Sequence, residues 1–150
     1  MAGNVILEDL LAELIAFRGA FVLQNAHGSM EFQGDDLYLN PTKEWITIYH
    51  EGASNPESQS HLHLRRAMLR SARIARELEE TPYLQFFQAP KPSGESTLVW
   101  YFPSFYDYQK GKADIPENQK VYDAFVDAHG GEFAIIDAVG RGKTNDVTGI

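Results

Sequence analysis

The chain contains no cysteine. Disulfides, thiolate metal sites and cysteine nucleophiles are therefore all excluded. It also lacks a long uninterrupted apolar run. The most hydrophobic N-terminal stretch, MAGNVILEDLLAELIAFRG, carries Glu8, Asp9, Glu13 and Arg18, which neither a signal-peptide core nor a membrane span tolerates. A cytoplasmic protein without membrane insertion is the expectation. Positive charge is scarce as well. Thirteen Lys and Arg stand against 21 Asp and Glu, a formal net charge of −8, which repels a phosphate backbone and argues against nucleic acid as a partner. No internal repeat divides the chain.

What is present suffices for one domain. At 150 residues with 43% hydrophobic content, including nine Phe, seven Tyr and two Trp, the chain can bury about two thirds of its unfolded surface. Asn4 is a plausible N-cap for a helix with Ile6, Leu10, Leu11, Leu14, Ile15 and Phe17 on one face, and Gly19 stands where a left-handed stop is expected. The period then changes to two. GAFVLQ, SMEFQG, DLYLN and EWITIYH read as antiparallel strands. In the last of these, Ile46, Ile48 and His50 share one face and Trp45, Thr47 and Tyr49 the other, so the strand is expected to be covered on both sides. EGASNPESQS reads as a loop. LRRAMLRSARIARELEE has helical spacing at Leu64, Met68, Ala72 and Ala75, yet also fits a strand with Ala72 and Ile74 inward. TPYLQFFQ and STLVWYFPSF read as strands joined by APKPSGE. Pro116 opens a helix that Gly130 closes, and FAIIDAV is a further apolar run. The expected domain covers residues 1–139, with 140–150 as a mobile tail.

Three features carry candidate chemistry. His61 and His63 in SQSHLHLRRA lie two apart, which on a strand puts both imidazoles on one face. A mononuclear metal site needs a third ligand, and Arg65, Arg66 and Arg70 occupy the neighbourhood where a carboxylate would follow. His50 and Glu51 could complete a site only by folding back. The arginines are the second feature. Arg65, Arg66, Arg70, Arg73 and Arg76 fall within twelve residues, and their planar donor forks match carboxylates or phosphates, although nearby glutamates offer them surface partners too. The third is WYFPSFYDY, where Trp100 and Phe102 read as core while Tyr106 and its neighbours leave the strand to wall a pocket or an interface. GRGKT at 140–144 lacks the earlier glycine of a phosphate loop, since Asp137 stands there.

Taken in order, FVLQNAHGSMEF, SHLHLRRAMLRSARIARE, PYLQFFQ, STLVWYF and a helix containing YDAFVDAH resemble the haem-utilisation carriers of the ChuX and HutX kind and each half of HemS, from about Ile6 to His129. The resemblance implies an α+β domain built on one large antiparallel sheet with flanking helices at both ends of the chain. It implies a homodimer that binds haem in a cleft and passes it on. It also implies strands in the ambiguous segment, with His61 as the axial ligand to the haem iron and His27 as a looser match. His63 has no counterpart there. Two departures from the family pattern stand out, EGASNPESQS before the His strand and the aromatic PSFYDYQKGKADIPEN after WYF.

The residues themselves are compatible with that ligand. Imidazole ligates iron, arginines pair propionates and aromatics cover a macrocycle. The candidate set is His61, His63 and His27 for the iron, Arg65, Arg66, Arg70 and Arg73 for the propionates, and Tyr106 for the ring. A carrier is expected rather than a catalyst. Rival readings are a metal-dependent or haem-degrading enzyme using the His-x-His strand, and a dimeric module for another flat anionic ligand, or one with a closed cleft, in which the haem site is lost. Because neutral imidazole is the form that binds iron, haem affinity should fall as pH drops through the ordinary histidine range of about 6 to 7. An affinity that stays flat from pH 5 to 8 would count against histidine ligation.

Overall fold

The computed structural model describes residues 4–50 and 60–137. Most of the loop expected at 51–60 and the tail expected at 140–150 lie outside them. The chain opens with a short strand, β1 (Asn4–Ile6), and passes directly into helix α1 (Leu7–Phe17). Asn4 is therefore strand, and the N-cap is Ile6, without a side-chain cap. Glu8 and Asp9 in the first turn complement the helix dipole instead. The left-handed residue that closes α1 is Arg18, with φ 64°, one position before Gly19.

Four strands follow: β2 (Ala20–Asn25), β3 (Gly28–Phe32), β4 (Leu37–Pro41) and β5 (Trp45–His50). Next come β6 (His61–Arg65), a single 3-10 turn over Arg66–Met68, and β7 (Ser71–Ala75). The ambiguous arginine-rich segment is thus strand, turn, strand. Ala72 is fully buried and Ile74 packs on the core, as the strand reading requires. β8 (Tyr83–Phe87) and β9 (Leu98–Tyr101) form the expected pair. The chain then makes an excursion through β10 (Tyr106–Asp107) and β11 (Ala113–Asp114) before α2 (Pro116–His129) and β12 (Glu132–Ile136).

The fold is α+β, but its strands do not form one antiparallel sheet. Seven make a mixed sheet in the order β1-β12-β7-β8-β9-β2-β3, in which β1 runs parallel to β12. β4, β5 and β6 form a separate three-stranded sheet, and β10 and β11 a small ribbon. The side chains of both larger sheets meet in one core. Leu7, Leu10, Leu11 and Leu14 of α1 are fully buried there, with Phe21, Leu84, Trp100 and Phe133 from the large sheet and Ile46, Ile48, Leu62 and Leu64 from the small one. Burying those four leucines contributes about 6 to 12 kcal/mol at the upper limit. Phe125 of α2 seals the end of the core beside Phe17 and Phe102, and His129 at its last turn reaches Glu13 of α1 at 2.8 Å. Among the described residues, no helix is long and apolar enough to cross a membrane.

Candidate functional site

Alternation along β6 determines what the histidines can do. Leu62 and Leu64 point into the core, so His61, His63 and Arg65 must point away from it. Register with β5 sets His61 opposite Tyr49, His63 opposite Thr47 and Arg65 opposite Trp45. The outer face of the small sheet becomes a row of rings. Tyr38 stacks on Tyr49 at 5.4 Å, Tyr49 lies 5.2 Å from His61, His61 lies 4.7 Å from His63, and Trp45 sits 6.1 Å beyond. Arg65 closes the row, its guanidinium 4.2 Å above the Trp45 ring. Trp45 and Tyr49 are half-buried and Tyr38 is 41% exposed, so β5 is covered by the core on one face only, and its outer face, expected to be covered too, is a partly exposed row of rings.

His63 is the better-held imidazole. Its Nδ1 shares a hydrogen bond of 2.7 Å with the hydroxyl of Thr47, which is buried beneath the row. A neutral ring that donates from Nδ1 to that oxygen presents Nε2 as its lone-pair nitrogen. β6 is an edge strand, and a cleft of about 770 Å³ lies beside it, between it and the large sheet. Leu23, Met68, Phe86 and Leu98 supply apolar lining, while His63, Trp45 and Arg65 line the same cleft from β5 and β6. The volume falls within the range of small-molecule sites.

The structure gathers only part of the expected set there. His61 stands next to His63 but does not line the cleft. His27 is at the tip of the β2–β3 hairpin, its backbone amide donating to Asn25, and does not line the cleft. Arg65 joins the histidines, 3.9 Å from Glu44 with both groups exposed. Arg66 does not. It is 3% exposed, and its donors go to Glu8 at 3.0 Å, to Asp137 at 3.0 Å and to the Thr42 carbonyl at 2.7 Å. Its guanidinium is an internal tie rather than an outward cation. Arg73 lies on the opposite face of the large sheet, against Gln85 and the Phe87 ring. Arg70 is exposed at the start of β7 and does not line the cleft. Tyr106 donates to the Glu79 carbonyl at 2.7 Å in the excursion after β9, so it too is remote from β6.

Sequence reasoning missed Thr47, Trp45 and the apolar patch of Leu23, Phe86 and Leu98. Thr47 could have been found from the pairing of TIY with HLH once the strand register was known. The apolar patch could not, because it combines strands distant in sequence. Among the described residues, no group of three or more His, Asp or Glu converges on a point where a metal ion could sit. His50, which could have supplied a third imidazole, turns to the other face, 3.1 Å from Asp36 and against Phe32. No family model matches the chain, and no curated protein matches it.

Proposed function

We propose that the cleft beside β6 binds haem or a closely similar planar tetrapyrrole, and that the protein carries the ligand rather than transforming it. One observation carries this reading. An imidazole fixed through Nδ1 by a buried hydroxyl stands at the side of a cleft with apolar lining, next to an indole and an exposed guanidinium. Those are the groups that a metalloporphyrin with two carboxylates requires. His63 is the preferred iron ligand in this reading, ahead of His61, because it lines the cleft and its ring is held through Nδ1 by Thr47. Arg65 is the propionate partner. The bound group would supply the iron and its redox chemistry. The chain supplies a ligand nitrogen, a counter-charge and cover from water.

A haem titration followed by absorbance tests the reading on the wild type and on His63→Ala and His61→Ala. A saturable Soret shift in the wild type, abolished by His63→Ala and weakened less by His61→Ala, is the expected result. Absence of a saturable shift in the wild type would overturn the function, and a shift unchanged by either substitution would overturn the site. Analytical ultracentrifugation with and without haem would check the expected homodimer.

A further inference from the structure

The face of the seven-stranded sheet turned away from α1 carries a second cavity, of about 590 Å³, lined by none of the residues assigned to haem. Val22 and Gly19 contribute to its lining. Tyr83 and Tyr101, cross-strand neighbours on β8 and β9 with ring centroids 5.1 Å apart, form one wall, and Tyr108 from the excursion after β9 contributes to another. Three carboxylates, Glu31, Glu77 and Glu80, line it against one cation, Arg18.

These carboxylates are not equivalent. Glu80 is already matched: the Tyr108 hydroxyl donates to it at 2.6 Å and Lys112 stands 3.6 Å away, and together they hold its carboxyl below the usual range. Glu31 and Glu77 come from different elements and make no ion pair among the described residues. Both act on the same wall. The Tyr83 hydroxyl donates to Glu77 at 3.4 Å, and the Tyr101 hydroxyl is pushed up by burial first and then by the charges of Glu77 and Glu31. The turn that carries Glu77 is fixed in advance. Arg76 donates to the Glu80 carbonyl at 2.6 Å, and Tyr106 to the Glu79 carbonyl at 2.7 Å.

We propose that this cavity binds an organic cation of the alkylammonium class, held by the tyrosine rings with Glu31 and Glu77 as counter-charge. Aromatic faces attract such a cation through their quadrupole, and two carboxylates that make no ion pair among the described residues supply the charge that selects it over a neutral amine. An anion would meet three carboxylates and one arginine. A bare metal ion would lack converging ligands, since no cluster of three forms among the described residues. The inference stands independently of the haem reading, because the two cavities use different residues on different faces of the large sheet.

The test is a titration of the full chain with tetramethylammonium chloride, followed by amide ¹H–¹⁵N shifts, with sodium chloride at matched ionic strength as reference. Saturable shifts at Glu31, Glu77, Tyr83 and Tyr101 are expected. Binding should be about tenfold weaker in Tyr101→Leu and at least severalfold weaker in Glu77→Gln. Glu31→Gln, an exposed change that leaves the core untouched, should weaken binding in the same direction. Shifts no different from those with sodium chloride would overturn the proposal, as would equal binding by the wild type, Glu77→Gln and Glu31→Gln.

Discussion

Gly19→Ala is expected to destabilise the protein by about 3 kcal/mol, although it adds a single methyl group. Gly19 joins α1 to β2 and is buried where the chain passes over β9. A Cβ built there would collide with the carbonyl oxygen of Tyr101 and with Cζ2 and Cε2 of the Trp100 ring. None of these can yield cheaply. The carbonyl belongs to sheet backbone, and Trp100 is fully buried, edge-on to Phe102 at 4.8 Å and 6.4 Å from Phe17. Close-packed interiors transmit such an insertion as off-rotamer side chains and displaced backbone. Urea unfolding of both proteins measures the loss, and tryptophan fluorescence should change in the native baseline because Trp100 is the displaced group. An unfolding free energy within about 0.5 kcal/mol of the wild type would show that the crossing relaxes freely.

Arg66→Met is the second large effect, also about 3 kcal/mol. The arginine sits in the 3-10 turn between β6 and β7 and ties α1, the β4–β5 turn and the chain beyond β12 through Glu8, the Thr42 carbonyl and Asp137. Removing the guanidinium leaves two carboxylates near one another and a carbonyl without its donor. The double variant Arg66→Met, Glu8→Gln should therefore lose less than the sum of the single changes, since the second substitution removes one of the two negative charges that face the guanidinium. Simple additivity in a denaturation series would contradict this account. Neither side chain lines the cleft, so on the haem reading proposed above the folded variants should bind haem as the wild type does.

Legibility in the sequence followed the range of the interactions. α2 was readable because its signals are local: Pro116 at the first turn, Phe125 inward, Gly130 at the stop. The hairpins β2–β3 and β4–β5 were readable for the same reason. Local propensity leaves β7 open, and only the family resemblance implies a strand there, since SARIA also suits a helix and its edges are bonded by β8 and β12 from distant parts of the chain. The expected single antiparallel sheet failed at β1 and at β4–β6, because partner choice is a long-range property that alternation does not encode. At the site, the shared face of His61 and His63 followed from their spacing. The roles of the arginines did not follow, because Arg65 and Arg66 look alike in sequence while the turn after β6 sends one outward and the other into the fold.

The parallel pairing of β1 with β12 sets Asn4 beside Ala134 and Ile6 beside Ile136. Of the contacts that complete the sheet, these span the greatest length of chain, and their closure entropy must be met before they contribute. During synthesis, the segment 4–6 has no sheet partner until residue 136 has been made, so α1 must wait, attached to an unpaired strand, for nearly the whole domain to appear. A nascent chain halted before β12 should therefore remain open to proteolysis at its first strand.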